Sequence, residues 1–132
     1  MNKICTDIPQ SKRLIELGID VNTADMCWTN HLFNAFLSSW RIESTPPREY
    51  KDLLDRFVVR GYLIEPAWSL SALLEVLPKN YGRYTKSLYW FDDAWHCEYV
   101  DEDGAAILGT SADIALDACY KMILDLHELK LL

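Results

Sequence analysis

Hydrophobic positions recur along this chain at two periods, and the changes of period mark its elements. Leu70, Leu73, Leu74 and Leu77 fall at i, i+3, i+4 and i+7, one face of a helix. Ser69 stands at the N-cap position, Pro66 and Pro78 bracket the segment, and Trp68 is placed to staple onto Leu73. A second stripe, Ala115, Ala118, Cys119, Met122, Leu126 and Leu129, predicts a long C-terminal helix reaching about Leu129. Thr110 or Ser111 is its expected cap, with Thr110 and Asp113 as a capping-box variant, and Asp117, Lys121 and Asp125 form i, i+4 pairs on its wet face. A shorter helix is expected over residues 8–18. Asp7 or Thr6 caps it, Pro9 lies in its first turn, Leu14, Ile15 and Leu17 supply its apolar side, and Gly18 ends it. Residues 48–60 read as another short helix, with Tyr50, Leu53, Leu54 and Phe57 on one side, followed by a turn at Arg60-Gly61-Tyr62.

Elsewhere the period shortens to two. In Ala94–Val100, Trp95, Cys97 and Tyr99 point one way and His96, Glu98 and Val100 the other. Ser87–Phe91 precedes it across an Asp92-Asp93 turn, and Ala105–Gly109 follows it across Asp101-Glu102-Asp103-Gly104. Residues 26–43 satisfy both periods. Leu32, Phe33, Phe36, Leu37 and Trp40 fit a helix, whereas Met26, Trp28, Phe36, Trp40 and Ile42 fit two strands with a turn near Asn30, His31 and Asn34. We read a strand pair, ended by Thr45-Pro46-Pro47. The order of elements predicts an α+β fold: an antiparallel sheet packed with an N-terminal, a central and a long C-terminal helix. With 132 residues and no linker-like stretch, residues 1–132 read as a single domain.

Charge adds one asymmetry. The net charge is −7, but residues 92–132 hold ten acids against two bases, a net of −8, while residues 1–91 are nearly balanced. An acidic chain is a poor binder of the nucleic-acid backbone. The N-terminal residues have no apolar run of signal-peptide length and no segment reaches membrane-span length, so a cytoplasmic location is expected. Cys5, Cys27, Cys97 and Cys119 are widely spaced and form no C-x-x-C pair, which fits free, partly buried thiols better than a disulfide framework or zinc knuckle.

No phosphate-binding loop, dinucleotide fingerprint, H-E-x-x-H or G-x-S-x-G motif is present. No cofactor, catalytic residue or metal ligand is assigned, since the histidines, His31, His96 and His127, are scattered. Three constellations carry weaker signals. Asp92, Asp93, His96, Cys97 and Glu98, followed by Asp101, Glu102 and Asp103, form an oxygen-rich cluster of a kind that could hold a divalent cation, although the spacing is not that of an EF-hand. Lys79, Arg83 and Lys86 interleave with Tyr81 and Tyr84, as in a single-strand stacking surface. Trp90, Trp95 and Tyr99, with Asp101, Glu102, Asp103, Asp117 and Asp125, form the candidate interaction surface.

Three blocks resemble a known kind of protein: residues 18–26, with Gly18-Ile19-Asp20-Val21-Asn22; residues 66–78, around Trp68-Ser69-Leu70-Ser71-Ala72-Leu73-Leu74; and residues 117–129, around Ala118-Cys119-Tyr120-Lys121-Met122. They are similar to small uncharacterised proteins of bacteriophages and integrated elements of Bacteroides-type gut bacteria. The last third also looks like the phage α-β-α sandwich domain. The resemblance implies a strand-like stretch after the first block and an accessory role in a mobile element, and it transfers no activity. The function expected is therefore a non-enzymatic module that binds a protein partner. The alternatives are a small metal-dependent hydrolase using Asp92–Asp103, or an acidic decoy mimicking nucleic acid.

Overall fold

The computed structural model describes residues 3–31, 40–57 and 61–132, with the backbone alone for His31. Helices and antiparallel sheets combine in an α+β architecture with the long helix at the C-terminal end. The chain divides into two compact units, residues 5–72 and residues 1–4 with 73–132. The boundary falls inside a helix rather than in a Pro-, Gly- or Ser-rich linker, so composition carries no sign of it.

The first unit holds α1 (Ile8–Glu16), β1 (Met26–His31), β2 (Arg41–Glu43), α2 (Pro47–Arg56) and β3 (Tyr62–Ala67), with sheet order β2-β1-β3. Helix α1 starts on a complete capping box. The Gln10 N–H donates to Asp7 Oδ1 at 2.8 Å, and the Asp7 N–H donates to Gln10 Oε1 at 3.1 Å. The chain leaves α1 through Gly18 at φ +88°, a geometry that glycine adopts without a Cβ penalty. β1 and β2 are the strand pair expected from residues 26–43, with Trp28 opposite Ile42. Asn30 and His31 belong to β1 rather than to a turn. Leu32, Phe33, Asn34, Phe36, Leu37 and Arg60 lie outside the described residues. β3 corrects the sequence reading, in which Pro66 masked a strand. Proline is tolerated there because β3 is the sheet's edge, its Pro66 opposite Cys27 on β1.

Thr6 ties this unit together. It is fully buried, and every polar group it carries has a partner. Its N–H donates to the Trp68 carbonyl at 2.9 Å, its carbonyl accepts from Trp28 Nε1 at 2.8 Å, and its Oγ1 accepts from the Trp68 N–H at 3.1 Å. The same hydroxyl lies 2.8 Å from the Ser11 hydroxyl of α1, also buried. One residue thus joins the N-terminal segment, α1, β1 and the end of β3. Trp68, buried at its core, donates Nε1 to Thr23 Oγ1 at 2.9 Å. The Asp25 carboxylate accepts from both the N–H and the hydroxyl of Ser69, and Ser69 Oγ accepts from the Ala72 N–H at 3.2 Å, capping α3 (Leu70–Val76) as its sequence predicts. Burial, the Glu43 carboxylate and neighbouring Cys5 push the Cys27 thiol up to about 11, so it is protonated at neutral pH.

The second unit is a four-stranded antiparallel sheet, order β4-β5-β6-β7, formed by β4 (Asn80–Tyr81), β5 (Tyr84–Phe91), β6 (Ala94–Val100) and β7 (Ala106–Ala112), with α4 (Ala115–Glu128) packed on β6 and β7. The strand faces of β6 are those expected: Cys97 and Tyr99 are wholly buried toward the helix, and His96 and Glu98 lie opposite. β7 runs three residues beyond the expected Gly109, which overturns the predicted cap. Thr110 and Ser111 are strand residues, α4 starts at Ala115 with no side-chain cap, and the Thr110 hydroxyl instead donates to the Ala118 carbonyl at 2.7 Å. The buried stripe of α4 gains Leu116 and Ile123, while Leu129, past the helix end, is exposed. Lys130 at φ +61° closes α4, with the Leu131 N–H donating to the Leu126 carbonyl at 2.8 Å and the Lys130 N–H to that of His127 at 3.0 Å. The Tyr81 hydroxyl then pins the Leu131 carbonyl at 2.7 Å.

Replacing Thr6 by Val keeps the shape but strands the buried Trp68 N–H and Ser11 hydroxyl, at about 1–3 kcal/mol for each group left unpaired. We expect a large fall in the urea midpoint for Thr6→Val and a small one for Thr6→Ser, which retains the hydroxyl; equal effects would exclude this role.

Candidate functional site

The surface residues singled out from the sequence separate in three dimensions. Tyr99 leaves the set, because its ring is fully buried, edge-on to Tyr81 at 5.0 Å, and its hydroxyl donates to the Pro78 carbonyl at 2.6 Å. Burial raises its pKa, as for a phenol with no solvent. Asp101 organises the β6–β7 turn, its Oδ1 accepting from the Asp103 and Ala105 N–H groups at 3.0 and 2.9 Å. Glu102 and Asp103 are exposed on that turn and Asp125 on α4. Asp117 pairs with Lys3 at 3.1 Å, while Lys121 reaches the Ser111 carbonyl at 2.8 Å. Asp92 and Asp93 stand at the other end of β6 from Asp101–Asp103, so a strand of seven residues, roughly 20 Å, separates the two acidic turns. Among the described residues, no three His, Cys, Asp or Glu side chains converge to hold a metal ion.

The basic-aromatic stretch is also largely spent on structure. Lys86 Nζ donates to the carbonyls of Leu74, closely, and Leu77, at 3.3 Å, satisfying the last turn of α3. Arg83 lies 5.2 Å over the Tyr84 ring. The four cysteines are buried and in the thiol form, outside any disulfide. Cys97 of β6 and Cys119 of α4 share a thiol hydrogen bond, which lowers the pKa of Cys97 and raises that of Cys119.

The side of the sheet away from α4 gathers Ser87, Tyr89, Phe91, His96, Glu98, Gly109 and Ser111, as their register requires. The Tyr89 ring stacks on His96 at 5.2 Å and its hydroxyl donates to Glu98, which raises its pKa. His96 Nε2 lies 2.9 Å from the Phe91 carbonyl; since a carbonyl can only accept, that nitrogen carries a proton. Glu98 leans over Gly109, where an added Cβ would come within 3.2 Å of its carboxylate. Sequence reasoning missed Tyr89, Phe91, His96 and Glu98 as one group, because the juxtaposition depends on the β5–β6 register.

The aromatic surface is concentrated at the β5–β6 tip. Phe91 is 65 % exposed and Trp90 53 %, with Trp90 edge-on to Trp95 at 5.8 Å. Both tip residues, Asp92 and Asp93, have positive φ, +52° and +59°, the two-residue hairpin geometry that Asn-Gly fills best. The aspartates therefore set two negative charges beside exposed rings at some cost in backbone energy.

Comparison with family models, curated proteins and solved structures finds no match to this chain. Among the described residues no helix is long and apolar enough to cross a membrane.

Replacing Asp92-Asp93 by Asn-Gly relieves both the left-handed strain and the adjacent like charges. The double variant should be more stable by up to about 1 kcal/mol, read in a thermal melt; a lower melting temperature would contradict this account of the turn.

Proposed function

We propose that the chain is a cytoplasmic accessory protein of a phage or integrated element, and that it acts without catalysis by binding a protein partner. The observation that carries this reading is the β5–β6 tip, a hairpin held by seven register pairs, where Tyr89 and Phe91 are exposed on the face away from α4 and Trp90 on the opposite face. Rigid aromatic side chains give large contact area at low entropic cost and dominate protein–protein binding energetics. Asp92 and Asp93 beside them favour a partner whose apolar pocket has a basic rim. The mobile-element origin is supported by the three resembling sequence blocks.

The rivals fit the geometry less well. A hydrolase centre needs its carboxylates to converge, whereas Asp92–Asp93 and Asp101–Asp103 flank opposite ends of β6. A nucleic-acid mimic needs a continuous row of charges, and here the acids are divided between two distant turns and α4.

The test is affinity capture from the host with the wild type and with Trp90→Ser and Phe91→Ser. These exposed substitutions should leave the stability within about 0.5 kcal/mol of wild type, yet reduce retention of the captured partner by tenfold or more. Retention unchanged in both variants would reject the tip as the binding surface.

A further inference from the structure

A second surface lies beside the tip, at the free edge of the sheet. The β5–β6 hairpin closes on the Phe91–Ala94 pair across a two-residue loop, so the backbone groups of Ala94, His96 and Glu98 face β5 and those of Trp95, Cys97 and Tyr99 face β7. The register Cys97–Thr110 and Tyr99–Leu108 then directs Leu108 and Thr110 inward and Gly109 and Ser111 outward. Lys121 confirms the alternation by taking the outward Ser111 carbonyl. Among the described residues of this unit, the Gly109 N–H, Gly109 C=O and Ser111 N–H lie on the unpaired edge of the ladder.

Edge strands are ordinarily blunted by charge, proline or brevity. β4, at the other edge, is two residues long. β7 has seven residues, Ala-Ile-Leu-Gly-Thr-Ser-Ala, with no charge and no proline, and its Ile107 is 56 % exposed. Acids bracket it: Asp101, Glu102 and Asp103 before, Asp113 after, with no Lys or Arg between residues 101 and 113.

We propose that β7 is a strand-addition site for an extended peptide segment of a partner protein, neutral in its centre and basic at both ends. The inference rests on the protein-binding reading above and narrows its partner. The bracketing charges select the occupant. A second copy pairing antiparallel about Gly109 would bring the Asp101–Asp103 turn of one copy beside Asp113 of the other, and parallel pairing in register would align identical acids; like charges in facing positions disfavour both. Lysines or arginines at both ends of the added strand meet acids at both ends of β7. Backbone pairing at Gly109 and Ser111 supplies the attachment, as in other strand-addition complexes.

The experiment is a fluorescence-anisotropy titration of the full chain at low ionic strength with a labelled peptide of alternating Val and Thr flanked by paired lysines. Binding should be lost when the lysines become glutamates and when alternate peptide nitrogens are methylated. Asp103→Lys and Asp113→Lys, both on exposed positions, should each weaken it roughly three- to tenfold. Binding that tolerates N-methylation would overturn strand addition, because it needs no backbone pairing. Absence of binding to the lysine-flanked peptide would overturn it too, and the effect of Trp90→Ser and Phe91→Ser on partner capture would then show separately whether the protein-binding reading survives.

Discussion

Helix α4 packs on one side of the four-stranded sheet, and which strand residues face the other side follows from that constraint. Helix α4 buries Leu116, Ala118, Cys119, Met122, Ile123 and Leu126, and from the sheet it covers Cys97 and Tyr99. Residues alternate in direction along each strand, so the same register that makes this core sends Tyr89, Phe91, His96 and Glu98 to the side away from α4. Antiparallel sheets commonly expose one face, but that face is usually polar. Here its outer end carries large rings, and β7 has no charged residue of its own, although Lys121 of α4 reaches its Ser111 carbonyl. The proposed partner-binding reading rests on these two features.

The other unit is held by a buried polar set. Thr6 gathers α1, β1 and the end of β3 through four hydrogen bonds, and Trp68 and Asp25 extend that set to Thr23 and to the start of α3. Buried polar groups that are all paired specify one arrangement, because any slip strands several of them at once. In this set polar satisfaction, as much as apolar area, selects the arrangement.

The sequence made most of the local structure legible. Period, caps and turn chemistry located α1, α2, α3, the β5–β6 hairpin and α4, since each is determined by neighbours in the chain. Three things escaped. Pro66 concealed β3, because its tolerance depends on an edge position that only the sheet topology supplies. Thr110 and Ser111 look like caps yet lie in β7, where pairing with Cys97 and His96 outweighs their preference for a helix end. Tyr99 looked like surface because an aromatic beside an acidic turn is ambiguous until the Pro78 carbonyl appears opposite its hydroxyl. The candidate site was only partly readable for the same reason: Trp90 was found from composition, whereas the Tyr89–His96 stack and the free edge at Gly109 exist only through cross-strand register. The acidity of the last third likewise resolves into two turns and a helix face, not one patch.

The proposed binding edge requires β7 to be open in the intact protein. Residue-resolved amide hydrogen exchange measures this without a partner. It should show alternation, with the Leu108 and Thr110 amides slow and those of Gly109 and Ser111 fast. Uniformly slow exchange from Leu108 to Ser111 would mean that the edge is already covered, and would contradict the account.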